Sequence, residues 1–413
     1  MKLTVENVAR VERAEIELNG VTVIAGYNST GKSTISKSLY AMTDAFSEMD
    51  GKVAEERARS VAASLKKLLF SPGELLSWSA WNEESAVRAI RRAVEAARRK
   101  GSLTREEVHA LLLEILDGQK ELPTCFDDLD GRAADAVGMI LARPEEAYQK
   151  FILERSIRSV FRGQINPVEN HAPAIFTLEN GAALMEANFV ENALSSCKIS
   201  PYAGQSAVYI GTLNVLDVIT QDPENFTYID RLQELLRRER REDQLTFEEY
   251  SQDRENSRIV REILAEVVEG RIVREGSRLR FYDDRLRSNI DFSNLASGLK
   301  TFVIIQTLIE NGVLNEGSLL IIDEPEVNLH PEWQLKFAEV LVLLYREMGI
   351  RMLLNTHSPY FLRAVELYLA ENEIAQDGKY YFMSDGDGRC VCTDVTGRTE
   401  VIYRALYNPL ENL

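Results

Sequence analysis

The segment Gly26-Tyr27-Asn28-Ser29-Thr30-Gly31-Lys32-Ser33 constrains this chain more than any other. It matches G-x-x-x-x-G-K-[ST] in full. The run before it, Val21-Thr22-Val23-Ile24-Ala25, is almost continuously apolar and reads as a buried strand. A helical pattern follows. Glycines let the loop curl so that its N–H groups face a phosphate, and the next helix adds its positive end. Lys32 is expected to reach the β- and γ-phosphates of a nucleotide and Ser33 to ligate Mg²⁺. The binding stretch runs from Gly26 through Thr34.

Three later segments read as partners of that loop. Leu319-Leu320-Ile321-Ile322-Asp323-Glu324-Pro325 is a buried strand with two carboxylates at its carboxyl end, where α/β folds place ligands. Asp323 is expected to hold Mg²⁺ directly or through water, and Glu324 to orient or deprotonate an attacking water. Leu353-Leu354-Asn355-Thr356-His357-Ser358-Pro359 is a second apolar strand ending in a polar turn. His357 there can meet the γ-phosphate or the water; the plainer reading is a turn histidine. In Asn294-Leu295-Ala296-Ser297-Gly298-Leu299-Lys300, Ser-Gly at a helix start suits an anion, although serine is also an ordinary N-cap.

The rest of the chain sets the frame. Ala14-Glu15-Ile16-Glu17-Leu18 alternates like a strand with one wet face, and Asn19-Gly20 predicts a hairpin turn into the next strand. Thr104-x-x-Glu107 and Thr246-x-x-Glu249 are capping boxes; 130–162 and 228–268 read as helix. Residues 173–195 and 271–290 read as β pairs around Glu179-Asn180-Gly181 and Glu275-Gly276. From 293 onward helices and strands alternate, the signature of a parallel sheet. The formal net charge of −17 argues against a protein coated in nucleic acid. Over 88–100, however, Arg88, Arg91, Arg92, Arg98, Arg99 and Lys100 face only Glu95, and Arg237, Arg238, Arg240 and Arg241 form a second cluster. Such runs are more often solvated helix faces, and neither has interleaved aromatics for base stacking. No apolar run approaches the ~18 residues that cross a bilayer, and Met1–Glu6 carries no signal core. A cytoplasmic protein without a membrane partner is expected. Four cysteines are too few for a disulfide framework. Asp385-Gly386-Asp387-Gly388 reads as a turn rather than a metal site.

Phosphate loop, Ser297-Gly298, Asp323-Glu324 and His357 occur in the order of ABC-type ATPases. Asp323-Glu324-Pro325-Glu326-Val327-Asn328-Leu329-His330-Pro331 and Thr356-His357-Ser358-Pro359-Tyr360 resemble the RecF/SMC/OLD-related group, over 1–34 and about 290–365. The resemblance implies an α/β P-loop NTPase fold of ABC-ATPase type, with a mixed parallel sheet core, an antiparallel β subdomain and a large helical insertion. The implied head comprises 1–34 and 200–413, the insertion 35–172, and 173–199 is a β-hairpin of the head. It implies ATP and Mg²⁺ as ligands, catalytic roles for Lys32, Glu324 and His357, and a homodimer sharing nucleotide. Ser297 and Gly298 of one copy would then hold the γ-phosphate bound by the other, with Asn328, Leu329 and His330 crossing the interface. Leu299 and Lys300 replace the usual Gly-Gln of the signature. For the Mg²⁺-sensing glutamine of the group, Gln205 and Gln164 both qualify, and Gln205 is favoured because it precedes the apolar run Ala207-Val208-Tyr209-Ile210.

The chain is similar to stand-alone ATPases of antiphage defence, such as those of the Septu and PARIS systems, which work beside a separately encoded nuclease or toxin. A slow regulatory ATPase acting on such an effector is the leading expectation. The alternative is a RecF-like genome-maintenance ATPase that binds DNA directly; nucleic acid is a possible ligand but not the primary one. A transporter subunit fits poorly, because Ser297 follows the phosphate loop at far greater distance than in those subunits.

Overall fold

The computed structural model describes all residues except 70–81, 101–102, 117–128, 170–171, 201–205, 212–226, 241–245, 277, 387 and 412–413. The chain divides into two compact units, one of 1–47 with 155–413 and one of 48–154.

The first unit is built on an eleven-stranded sheet. Its antiparallel wing holds β1 (Lys2–Val8) and β2 (Val11–Glu17). On β2, Ala14 and Ile16 are buried while Glu15 and Glu17 point outward, so alternation gives the wet face that the sequence announces. β3 (Val21–Gly26) is buried along its whole length and runs into α1 (Lys32–Phe46). After the helical unit come β4 (Ala174–Asn180), β5 (Ala183–Val190) and β6 (Ala193–Ile199), an antiparallel meander with the expected turn at 181–182. β7 (Ala207–Ile210) is an edge strand.

Further along lie α7 (Tyr228–Arg237), α8 (Phe247–Val267) and a separate three-stranded sheet of β8 (Gly270–Glu275), β9 (Arg278–Asp283) and β10 (Ser288–Asp291). Then α9 (Ser297–Glu310), β11 (Leu319–Asp323), α10 (Pro331–Met348), β12 (Arg351–Thr356) and α11 (Pro359–Glu371) alternate as expected. The chain continues with β13 (Gly378–Gly386), β14 (Arg389–Asp394) and α12 (Glu400–Glu411). The order across the sheet is β6-β5-β4-β1-β2-β14-β13-β3-β12-β11-β7, and β13-β3-β12-β11-β7 is its parallel core.

The Asn19-Gly20 hairpin does not form. β13 and β14 lie between β2 and β3, so those two strands never pair. Gly20 serves close approach instead: a Cβ there would sit 2.4 Å from the Asp377 carbonyl oxygen. The local turn signal loses to two strands that arrive more than 350 residues later. The Asp385–Gly388 segment lies at a tight connection, with Gly386 paired to Arg389 across β13 and β14; Asp387 lies outside the described residues.

The helical unit contains α2 (Met49–Leu69), α3 (Glu83–Lys100), α4 (Arg105–Ile115), α5 (Leu129–Leu141) and the start of α6 (Glu145–Phe161). Thr104 and Glu107 form the reciprocal capping box at α4. Val53, Val61, Leu65, Ile90, Leu112, Val137 and Ile152 are among the side chains of its core. The Arg57 guanidinium lies 5.1 Å from the Tyr148 ring centroid and donates to the Arg143 carbonyl. The unit begins after α1 rather than at 35, because Ile35, Leu39 and Met42 on α1 are fully buried in the sheet unit.

Replacing Gly20 with Ala forces backbone atoms apart and should lower unfolding stability by about 2 kcal/mol, the usual scale of overpacking. A urea midpoint equal to that of the wild type would contradict the close approach.

Candidate functional site

Three parallel strands bring the motifs together by register. Ala25 on β3 pairs with Thr356 on β12, and Asn355 pairs with Asp323 on β11. The phosphate loop, the carboxylates and the histidine thus leave the same edge of the sheet. A cavity of about 830 Å³ opens there. Its wall is the 28–34 loop, Glu324, Glu326, Val327, Asn355, His357, Ser358, and Ala9 and Arg10 from the β1–β2 turn.

The loop is a curled backbone. Ser29 and Gly31 adopt φ of 62° and 91°, and a Cβ on Gly31 would meet Val11 Cγ2 at 2.7 Å. Only glycine meets both conditions at position 31. Thr30 Oγ1 donates to the Tyr27 carbonyl and braces the turn. The Tyr27 ring packs edge-on to Phe382 and its hydroxyl donates to the Ala405 carbonyl, so this side chain is anchored on α12 and only its backbone serves the loop. Asn28 and Ser33 are exposed.

Lys32 is buried, and its ammonium donates to the carbonyls of Gly26 at 2.9 Å and Tyr27 at 2.7 Å. A third contact, 3.4 Å, goes to His357 Nδ1. An ammonium has donors only, so Nδ1 accepts and the proton of a neutral ring sits on Nε2. His357 Nε2 lies 3.3 Å from Glu324 Oε1, the right partner for that N–H. Burial, then the Lys32 charge, holds His357 below its ordinary value, against the pull of Glu324. Burial pushes Lys32 down to about 8 despite Glu324, Glu326 and Asp323.

Glu324 is held at φ 52° with its N–H donating to the Asn355 carbonyl. A non-glycine residue in this region costs about 1–3 kcal/mol. The fully buried Leu320, Ile321, Ile322, Leu353 and Leu354 beside it contribute about 2 kcal/mol each and outweigh that strain. Glu326 is buried, and its Oε1 accepts from the backbone N–H groups of His357 at 2.7 Å and Ser358 at 3.1 Å. It ties the loop after β11 to the histidine turn. Asp323 is half-buried, with both oxygens hydrogen-bonded, to Tyr209 and Asn355.

The donor set fits Mg²⁺. Ser33 offers a hydroxyl and Asp323 a carboxylate, both hard oxygen donors. Among the described residues no group of three His, Cys, Asp or Glu is arranged to hold a metal ion by itself. A cation here would rely on phosphate and water for its other ligands, which is the habit of Mg²⁺.

Other expected residues fall elsewhere. Ser297 is the first residue of α9 rather than its cap; Ala296 occupies the cap and supplies no side-chain hydrogen bond. The α9 N–H groups therefore have no side-chain cap, and Ser297 is exposed. Neither Ser297 nor Gly298 lines the cavity of its own chain. A Cβ on Gly298 would press on Leu329, the Asn328 carbonyl and Trp333. Asn328 sits at φ 64°, Leu329 is buried, and His330 caps α10 through Nδ1. Lys300 is buried, with Nζ 5.4 Å from the Phe292 centroid and 3.4 Å from the Ser293 carbonyl. It braces the start of α9 from inside. Gln164 follows α6 and is not on the cavity wall. Gln205 lies outside the described residues.

Arg10, Glu326, Asn355 and Tyr209 had no role in the sequence reading. Asn355, a polar residue closing an apolar run opposite Asp323, carried a legible signal; Arg10 carried none. Arg10 donates to the Ser29 carbonyl and pairs with Asp385 at 3.3 Å.

A family model described as "AAA domain, putative AbiEii toxin, Type IV TA system" matches residues 215–363. No curated protein matches the chain. Among solved structures, the chain is similar to an Smc head bound to the C-winged helix domain of ScpA, at 11% identity and TM-score 0.45, covering 97% of this chain and 98% of that one. It is similar to the SMC head domain from Thermotoga maritima at 10% identity and TM-score 0.39, over 95% and 98% of the two chains. An ATP-binding cassette of an ABC transporter in its ADP conformation gives 12% identity and TM-score 0.34, over 99% and 96%. The fold is α/β, with a mixed sheet whose parallel core leads into the phosphate loop.

Lys32 gives two opposed pH dependences. The unfolded chain keeps this lysine protonated to about 10.4. Between pH 8 and that value the unfolded state holds the extra proton, so the ligand-free fold gains stability as pH rises. A bound phosphate favours the charged form, so the affinity expected for a phosphate ligand such as ATP is full below pH 8 and falls as pH rises through it. Urea midpoints and ATP titrations of the wild type from pH 7 to 10 check both slopes, and Lys32→Met should flatten the stability slope. Affinity that does not change over this range would contradict the assignment.

Proposed function

We propose that this chain binds and hydrolyses ATP with Mg²⁺ and uses ATP-dependent pairing of two copies as a switch on a partner. The observation that carries the reading is the convergence of the phosphate loop, Glu324 and His357 on one cavity, next to the Asp323 that ends β11, with Ser297 and Gly298 of the same chain left off it. An uncapped α9 end with an exposed Ser297 suits a γ-phosphate presented by a second copy.

Lys32 exchanges its contacts with the Gly26 and Tyr27 carbonyls for the β- and γ-phosphates. Ser33 and Asp323 would hold Mg²⁺, which would supply positive charge to offset that of the phosphates. Glu324 accepts a proton from the attacking water, whose oxygen bonds to the γ-phosphorus as the bond to ADP breaks. His357, neutral and donating from Nε2, fixes the Glu324 carboxylate. Glu326 holds the His357 backbone in place. The products are ADP and phosphate, and loss of the shared phosphate loosens the pair.

The partner is proposed to be a separately encoded nuclease or toxin, with a setting in bacterial antiphage defence. This setting rests on the sequence resemblance to stand-alone defence ATPases; the family description matched over 215–363 names a toxin and not a partner of one. Direct nucleic-acid binding is secondary. Arg91 pairs with Glu55 and Glu95, and Arg92 with Glu114, so part of the α3 charge is neutralised within the chain. Among the described residues no helix is long and apolar enough to cross a membrane.

Glu324→Gln should slow turnover by about 10²–10⁴-fold, the usual worth of a general base, and trap an ATP-bound dimer by size-exclusion chromatography with light scattering. Ser297→Arg in that background should return it to monomer while ATP still binds. A Glu324→Gln protein that binds ATP yet stays monomeric would refute the switch.

A further inference from the structure

The edge strand β7 adds one side chain that no motif explains. Tyr209 pairs in register with Ile321, two residues before Asp323, and points to the same face. Its hydroxyl donates to Asp323 Oδ2 at 2.7 Å. From the opposite side Asn355, level with Asp323, donates to Oδ1 at 2.6 Å and reaches Ser36 Oγ at 2.8 Å. The carboxylate is therefore gripped from both neighbouring strands.

The phenol is well fixed. It is 3% exposed, with the Tyr40 ring 5.6 Å and the Tyr228 ring 4.8 Å away. A buried tyrosine hydroxyl requires a partner, and a charged acceptor makes that hydrogen bond stronger than a neutral one. A carboxylate has about four lone-pair sites. Two donors fix its plane and leave acceptor capacity on both oxygens. Hydrogen bonds that orient a metal ligand are worth about 10–100-fold in metal affinity.

We propose that Tyr209 is the positioning residue of the metal site, holding Asp323 ready for Mg²⁺. This rests on the ATP–Mg²⁺ reading above.

The test is Tyr209→Phe, which keeps the ring stack and removes only the hydroxyl. Binding of a fluorescent N-methylanthraniloyl ATP is followed by anisotropy, in EDTA and across a Mg²⁺ titration. Mn²⁺ binding to the nucleotide complex, read by electron paramagnetic resonance, gives a second measure. The expected result is a Mg²⁺ half-saturation raised at least about tenfold, weaker Mn²⁺ binding, and unchanged affinity in EDTA. Asn355→Ser, which removes the other donor, carries the same expectation and serves if circular dichroism shows Tyr209→Phe to be unfolded. An unchanged Mg²⁺ half-saturation overturns the proposal. So does an equal loss with and without Mg²⁺, which would make Tyr209 a packing residue. Wild-type protein that binds no nucleotide under either condition overturns the parent reading as well.

Discussion

The in-register parallel alignment of β3, β12 and β11 is the constraint on which the rest depends. It places Ala25, the last residue before Gly26, level with Thr356, and Asn355 level with Asp323. Groups some 300 residues apart in sequence leave the sheet at one edge because their strands are adjacent and all point the same way. A one-residue slip of any strand would turn its polar end residue to the other face. The full burial of the apolar runs on β11 and β12 makes such a slip costly.

Within that frame the charges form a chain. Lys32 points at His357 Nδ1, and His357 Nε2 points at Glu324. Each link fixes the next: the ammonium decides the tautomer, the tautomer decides which nitrogen donates, and that donor orients a carboxylate on strained backbone. Glu326 and Asn355 secure the scaffold from behind through the His357 N–H and the Asp323 carboxylate. The site is pre-organised by hydrogen bonds to backbone and side chains within one compact unit.

What the sequence made legible was local and continuous. The phosphate loop with its strand and helix, the Asp323-Glu324 strand end and the β4–β5 turn at 181–182 are all written in neighbouring residues. Asn19-Gly20 misled because a dipeptide cannot report that β13 and β14 will insert between its flanking strands. β13 and β14 pair with each other across the Asp385–Gly388 segment, which is local, but their insertion between β2 and β3 depends on partners at the far end of the chain. Tyr209 was read as part of an apolar run. Its function comes from the hydroxyl, and the partner of that hydroxyl is set by sheet order. Ser297 was legible as a helix start, but whether it caps or stays open depends on backbone geometry one residue earlier.

The central claim is that the curled loop with Lys32 at its base is a triphosphate site. Isothermal titration of ATP with Mg²⁺ into the wild type and into Lys32→Met tests it most directly. The account predicts one ATP bound per chain in the wild type and no measurable binding in the variant, with both proteins folded. Equal binding by the two, or none by the wild type, would contradict it.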